Sequence, residues 1–276
     1  MAPGGSIHTK SSQKCPTGDS RAAPDDVDEL TAIVQEVWIG ATARGGRCQR
    51  SAAVFDMTKI RRRILLINPN SSTATTAMMV GIASASLTSD AEVFGVTAMR
   101  APAMIIDADA LNAAGAEVAE IARRHEGAFD GIIVAAFGDP GLAEIRASCV
   151  APAVGIGESA IVAAAAGHRR FGVATTTPAL VESITQLAAA LGLADRFTGT
   201  RLTSGDPVAV TADPPALLAA LAVATRACIE QDGAQAVIIG GGPLAQAAHE
   251  LQPLFGVPII RPIAAAVARI VAKMAD

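Results

Sequence analysis

The stretch that decides the fold is Ala135–Leu142, AAFGDPGL, read together with Ala236–Ala245, AVIIGGGPLA. Each is a short apolar run that stops abruptly in glycine and proline and then resumes with helix-forming residues. A run of this length, broken this sharply, is how a buried parallel strand delivers its carboxyl end into a loop. The two stretches read as counterparts, one in each half of the chain. They point to a two-lobed α/β protein acting on a small molecule.

Working outward, the same alternation repeats. ILLINPN (64–70), AEVFGVT (91–97), GIIVAA (131–136) and APAVGIG (151–157) read as strands in the first half. FGVATT (171–176), FTGTRL (197–202), AVIIGG (236–241) and VPII (257–260) read as strands in the second. Helices are expected over 72–86 and 109–125, from Pro140, up to Ala166, from Pro178, and over 214–231 and 263–274. Strands alternating with helices imply right-handed crossovers and a mostly parallel sheet. Eight such strands could close one barrel or form two open sheets.

The chain has 276 residues, 51% of them hydrophobic and 17% charged, with a net charge of −4 and no tyrosine. That balance does not suit nucleic acid, which calls for a basic face and stacking rings. No apolar run reaches the roughly 18 residues a membrane span requires. The cysteines at 15, 48, 149 and 228 fit neither a disulfide framework nor a zinc site, and the histidines at 8, 125, 168 and 249 lack ligand spacing. A reduced, cytoplasmic protein without a bound metal is expected. Residues 1–58 differ in kind. Their Gly, Ser, Pro and Asp content predicts an extension that does not order itself, with an amphipathic turn or more over 28–40. Met57, opening MTKIRRRILLINPN, reads as an alternative start.

In open parallel sheets, ligands bind beyond the carboxyl ends of the strands. Those ends are 68–72, 136–141, 155–159, 175–178 and 240–244, and they hold Asn70, Ser71 and Ser72; Phe137, Gly138 and Asp139; Gly157 and Glu158; Thr175, Thr176 and Thr177; and Gly240, Gly241, Gly242, Pro243 and Leu244. Small residues leading into helix starts offer free N–H groups to an anion or a developing oxyanion. Asn and Ser there also serve as ordinary helix caps. Asp139-Pro140 reads as a cap followed by proline in the first turn. The glycines of 240–242 fit neither a dinucleotide fingerprint nor a P-loop, and suit close approach of backbone to a substrate. Arg261, after the last strand, could face a substrate carboxylate or solvent.

With these residues in view, the chain resembles the Asp/Glu/hydantoin racemase family, its hydantoin racemase-like branch in particular. The likeness covers about 63–275. It rests on INPNSS (67–72), FGDPGL (137–142), VGIGES (154–159), FGVATT (171–176), EQDGAQAVIIGG (230–241) and VPIIRPIAAAV (257–267). The resemblance implies two similar open-sheet lobes with the site in the cleft between them. The first would be 62–155 plus 263–276, the second 156–262. It also implies a cofactor-independent two-base mechanism, in which one cysteine removes the α-proton and a second returns one to the opposite face. A pair of thiols of tuned acidity suits such an enolate-forming reaction.

This sequence departs from that pattern. The two family thiol positions fall at Ala136 and Gly241, neither of which carries a proton, and Arg261 replaces an acidic or small residue. The resulting expectation is a racemase or isomerase working at the α-carbon of an amino acid derivative, hydantoin or related carbonyl acid. Asp139 and Glu158 would be its remaining candidate bases. Asn70, Ser71, Ser72, Phe137, Gly138, Thr175, Thr176, Gly241, Gly242 and Pro243 would bind a carboxylate or cyclic imide. A decarboxylase or lyase of the same fold is a variant, and a non-catalytic small-anion binder that lost both thiols is the alternative. The family resemblance also allows a homo-oligomer.

Overall fold

The computed structural model describes residues 61–88 and 90–275. The extension expected over 1–58, with its Cys15, Cys48 and His8, lies outside the described residues. Strands β1 (Arg62–Asn68), β2 (Ala91–Thr97), β3 (Gly131–Val134) and β4 (Ala153–Gly155) form one sheet in the order β2-β1-β3-β4. Strands β5 (Phe171–Thr175), β6 (Phe197–Leu202), β7 (Ala236–Ile239) and β8 (Ile259–Ile260) form a second, in the order β6-β5-β7-β8. Every pairing is parallel. The sheets are open, so the barrel alternative falls away.

The two orders are the same order, displaced by four strands. β1 and β5 are equivalent, as are β3 and β7, and the backbone bonds repeat. Ala135 N donates to Ile67 O at 2.8 Å, and Gly240 N donates to Ala174 O at 2.9 Å. Ala98 N donates to Asn68 O and Thr203 N to Thr175 O, both at 2.9 Å. Ala136 and Gly241 therefore occupy corresponding positions, one residue past the last ladder bond of each central strand. The central strands are buried along their whole length (GIIV, FGVAT, AVII), which requires helices on both faces.

Those helices are α1 (Thr73–Ala85), α2 (Ala108–Arg124), α3 (Leu142–Ser148), α4 (Ile156–Ala165), α5 (Val181–Ala190), α6 (Pro207–Ala212), α7 (Pro214–Glu230), α8 (Ala245–Leu251) and α9 (Pro262–Lys273). α2 shows why such segments fold. Leu111, Ala114, Gly115, Val118, Ala119, Ile121 and Ala122 are buried at helical spacing, Asp107 caps the start, and Arg123 and Arg124 complement the end. α7 starts at Asp213, whose side chain accepts from Ala216 N, followed by Pro214 in the first turn.

The chain passes between sheets at Gly155–Ile156 and returns at Arg261–Pro262. α4 packs on β5, β7 and β8, whereas α9 packs on β3 and β4 and lies against α4. Ile156 and Ala245 join Met79, Ile133, Ile263 and Ile270 in one apolar cluster, so the two halves share part of a core.

The structure corrects three local expectations. The helix expected from Pro140 begins at Leu142, because Gly141 at φ 77° must first turn the chain, and Asp139 is not its cap. The helix expected from Pro178 is a single 3-10 turn, Pro178–Leu180, before α5 begins. α6 was not anticipated; it is one short stretch started by Asp206 and Pro207.

Candidate functional site

The ends of β1, β3, β5 and β7 open into one cleft between the sheets. Phe137 and Ala136 come from the first sheet, Gly240, Gly241 and Pro243 from the second. Asn70, Thr175, Thr176 and Thr177 are its polar side chains. Met104, Ile105 and Leu111 form an apolar wall on one side, and Leu180, Ile184 and Leu244 on the other. Among the described residues, no titratable side chain lines the cleft.

Ala136 and Gly241, where the resemblance implies the two thiols, both line this cleft. Ala136 has no left-handed backbone, so its position could carry a side chain, whereas Gly241 sits at φ 130°, ψ 136°, a region open to glycine. Gly240 admits the wall opposite, since a Cβ there would lie 3.0 Å from Val173 Cγ1 and 3.8 Å from Phe137 Cγ. The two carboxyl-end loops thus approach each other across a gap that their glycines keep narrow.

Asn70 is held by a network rooted in β1. Asn68 Nδ2 donates to Asn70 Oδ1 at 2.9 Å, to Thr76 Oγ1 at 2.9 Å and to Ser72 O at 3.1 Å. Ser72 N donates to Asn70 Oδ1 at 2.9 Å, and Asn70 N to Asn68 Oδ1 at 3.2 Å. Thr76 Oγ1 in turn meets Thr97 Oγ1 at 2.7 Å. In the other half, Thr175 Oγ1 donates to Gly240 O at 2.8 Å, and the Thr176 and Thr177 hydroxyls lie 3.4 Å apart.

Several residues singled out in the sequence stand elsewhere. Ser72 caps α1, accepting from Thr75 N at 3.2 Å, and Ser71 N donates to Pro102 O at 3.1 Å. Neither lines the cleft. Gly138, at φ 115°, backs onto Leu111, and Gly242 is buried with Met79 Sδ and Ala135 O where a Cβ would go. Both shape the walls from behind. Arg261 is exposed, 3.1 Å from His249 Nδ1, and does not line the cleft, so it does not set the charge a ligand would meet.

The two candidate bases are also engaged away from the cleft. Asp139 is buried in the left-handed region at φ 52°, and its carboxylate accepts from Gly157 N at 2.8 Å and Glu158 N at 2.6 Å. It caps α4, not the helix that follows it. Burial pushes its pKa up to about 7, against the pull of those two N–H donors. Glu158 is buried and paired with Arg146 at 2.5 Å and Arg269 at 3.6 Å. The remaining described thiols do not substitute. Burial pushes Cys228 up to about 12 and raises Cys149 as well, and neither lines the cleft.

Met104, Ile105, Leu111, Leu180 and Ile184 were missed as site residues. The signal for the first pair was the apolar run Met104–Ile106 in the connection from β2 to α2, because apolar residues in a loop imply something to cover. Leu180 and Ile184 stand four apart on the helical stretch after Thr177, so they share a face.

Comparison with known proteins matches this geometry. The pattern of the family described as Asp/Glu/Hydantoin racemase fits residues 64–270. The chain belongs to that family. The hydantoin racemase of Paenarthrobacter aurescens is 29% identical over 206 residues, covering 74% of this chain and 87% of the relative. That of Pseudomonas sp. (strain NS671) is 30% identical over 206 residues, covering 74% and 83%. The allantoin racemase from Klebsiella pneumoniae superposes with a TM-score of 0.73 at 28% identity, over 78% of this chain and 88% of that one. The family, its two-sheet α/β fold and racemase-type relatives are therefore established for this chain. Among the described residues, no helix is long and apolar enough to cross a membrane.

Proposed function

We propose that the cleft between the sheets binds a small neutral carbonyl compound, a cyclic imide or ureide of the hydantoin kind, and stabilises its enolate so that the proton on the α-carbon exchanges. One observation carries this reading. Among the described residues, the lining joins amide and hydroxyl groups to apolar walls and has neither a cation to hold a carboxylate nor an anion to repel an enolate. That the relatives are named hydantoin and allantoin racemases supports the ring class.

Without a thiol at 136 or 241, the protein contributes orientation and polarisation. The proton passes to and from water at the mouth of the cleft. A positioned acid or base adds about 10²–10⁴-fold to such a step, so turnover is expected to be slow beside that of a thiol-bearing site. A second reading, binding of the same ligand without turnover, draws on the absence of any titratable lining side chain among the described residues. A decarboxylase reading uses the same stabilisation of a carbanion.

Proton NMR of one enantiomer of 5-isobutylhydantoin in deuterated water separates them. Loss of the C5 proton signal faster than in buffer supports exchange catalysis. A ligand-induced rise in melting temperature with no added exchange moves the assignment to the binding protein. No exchange and no shift with any cyclic imide overturns the ligand class.

A further inference from the structure

The polar atoms of the cleft are already committed in direction. Asn70 Oδ1 accepts from Asn68 Nδ2 and from the backbone N–H of Ser72, each at 2.9 Å. The second bond fixes the amide orientation, because a backbone N–H can only donate and so cannot face an NH₂ group. Asn70 is therefore left with Nδ2, a donor that has no hydrogen-bond partner among the described residues. Thr175 is the reverse case. Its hydroxyl hydrogen goes to Gly240 O at 2.8 Å, so the oxygen has only lone pairs to offer. Both side chains line the cleft, Asn70 at the end of β1 and Thr175 at the end of β5, and both are largely buried.

We infer that Asn70 and Thr175 act as a one-way hydrogen-bond pair that selects a ligand presenting both a carbonyl oxygen and an N–H, as a lactam, imide or ureide does, and rejects a carboxylate that carries no N–H. This rests on the cyclic imide reading above and assigns its selectivity to two residues. A carbonyl oxygen satisfies Asn70 Nδ2. A ring N–H satisfies the Thr175 lone pair. A carboxylate has no hydrogen for Thr175, and bringing two acceptors together in a buried site leaves both without a partner. Sites built on buried hydrogen bonds reject the analogue that lacks a partner far more strongly than apolar pockets reject a size mismatch.

The test compares three probes by calorimetry: 5-isobutylhydantoin, its 1,3-dimethyl derivative and 4-methylpentanoate, a carboxylate of the same side chain with no N–H. Wild type is expected to bind the hydantoin at least tenfold more tightly than either other probe, the rough worth of one lost buried hydrogen bond. Asn70→Asp keeps both bonds to Asn68 and Ser72 while turning the donor into an acceptor, and should lose at least tenfold in hydantoin affinity. Thr175→Val should lose a similar factor, and Thr175→Ser should retain affinity. A thermal melt of each variant identifies any that fails to fold, and Asn70→Asp, which keeps its network, then carries the decision. Equal binding of the dimethyl compound or of the carboxylate by wild type, or unchanged hydantoin affinity in Asn70→Asp, overturns this inference and leaves the parent reading standing. Failure of wild type to bind any probe overturns both.

Discussion

The Asp139 carboxylate lies 2.6 Å from the backbone nitrogen of Glu158, nineteen residues further along the chain. The loop that carries Ala136 and Phe137 is thereby pinned to the first turn of α4, at the point where the chain passes from one sheet to the other. A side chain that reads as a helix cap in the sequence is a cap, but of the helix after the next strand. Gly155 and Gly157 make room for it. A Cβ at Gly155 would stand 2.0 Å from Asp139 Cγ, and one at Gly157 would stand 3.1 Å from Oδ1.

Removing that carboxylate exposes what it satisfies. Asp139→Ala leaves two N–H groups of α4 without their acceptor and should cost about 2–4 kcal/mol, read from the midpoint of denaturant unfolding. Gly155→Ala should cost a comparable amount, although Gly155 has an ordinary φ of −100°, because the added methyl displaces the carboxylate. The double variant should be far less destabilised than the sum. Additive effects would show that the two residues do not act through one contact.

The same carboxylate gives stability a pH dependence of unusual sign. Its folded pKa, raised to about 7 by burial, stands above the ordinary aspartate value that the unfolded chain adopts. Between those values the folded protein holds a proton that the unfolded chain releases. The contribution is fully present at acid pH below the unfolded value and is lost as pH rises through about 7. Unfolding free energies of wild type should fall relative to Asp139→Asn as pH rises from about 4 to about 7 and level off above that. Parallel curves for the two proteins would remove Asp139 as the source.

Ala136 and Gly241 should respond differently to substitution by cysteine. Ala136→Cys is expected to fold with near-native stability and to place in the cleft a thiol that iodoacetamide labels and 5-isobutylhydantoin protects. Gly241→Cys forces a side chain onto a backbone at φ 130° and should cost about 1–3 kcal/mol. Equal stability of the two variants would show that the loop at 241 relaxes freely.

Arg261 faces solvent beside His249. Arg261→Ala is expected to change stability by no more than about 0.5 kcal/mol and to leave ligand affinity as it was. A loss of affinity in that variant would mean that the arginine reaches the ligand.

The strands were legible because burial on both faces writes a continuous apolar run, and GIIV, FGVAT and AVII could hardly be anything else. Phe137, Thr175, Thr176, Gly241 and Pro243 were legible as cleft residues by their place at strand ends. Asp139 and Ser72 sit at such ends too, and periodicity cannot say which way an end residue turns. Asp139 turns toward α4, Ser72 toward the first turn of α1, and Asn70 into the cleft. The apolar walls were harder still, because Met104 and Ile184 read like any other residues covering a core.

The sequence by itself determined the alternation of strand and helix, the repeat of that alternation in two halves, and the absence of thiols at 136 and 241. These are local matters of side-chain chemistry and period, written residue by residue. Only the tertiary structure decided which strand ends meet across the cleft, which carboxylates are drawn into helix caps and ion pairs, and which way the Asn70 amide and the Thr175 hydroxyl are committed. Those depend on partners many residues away, such as Gly240 for Thr175 and Glu158 for Asp139, and the folded chain alone brings such partners within hydrogen-bond reach.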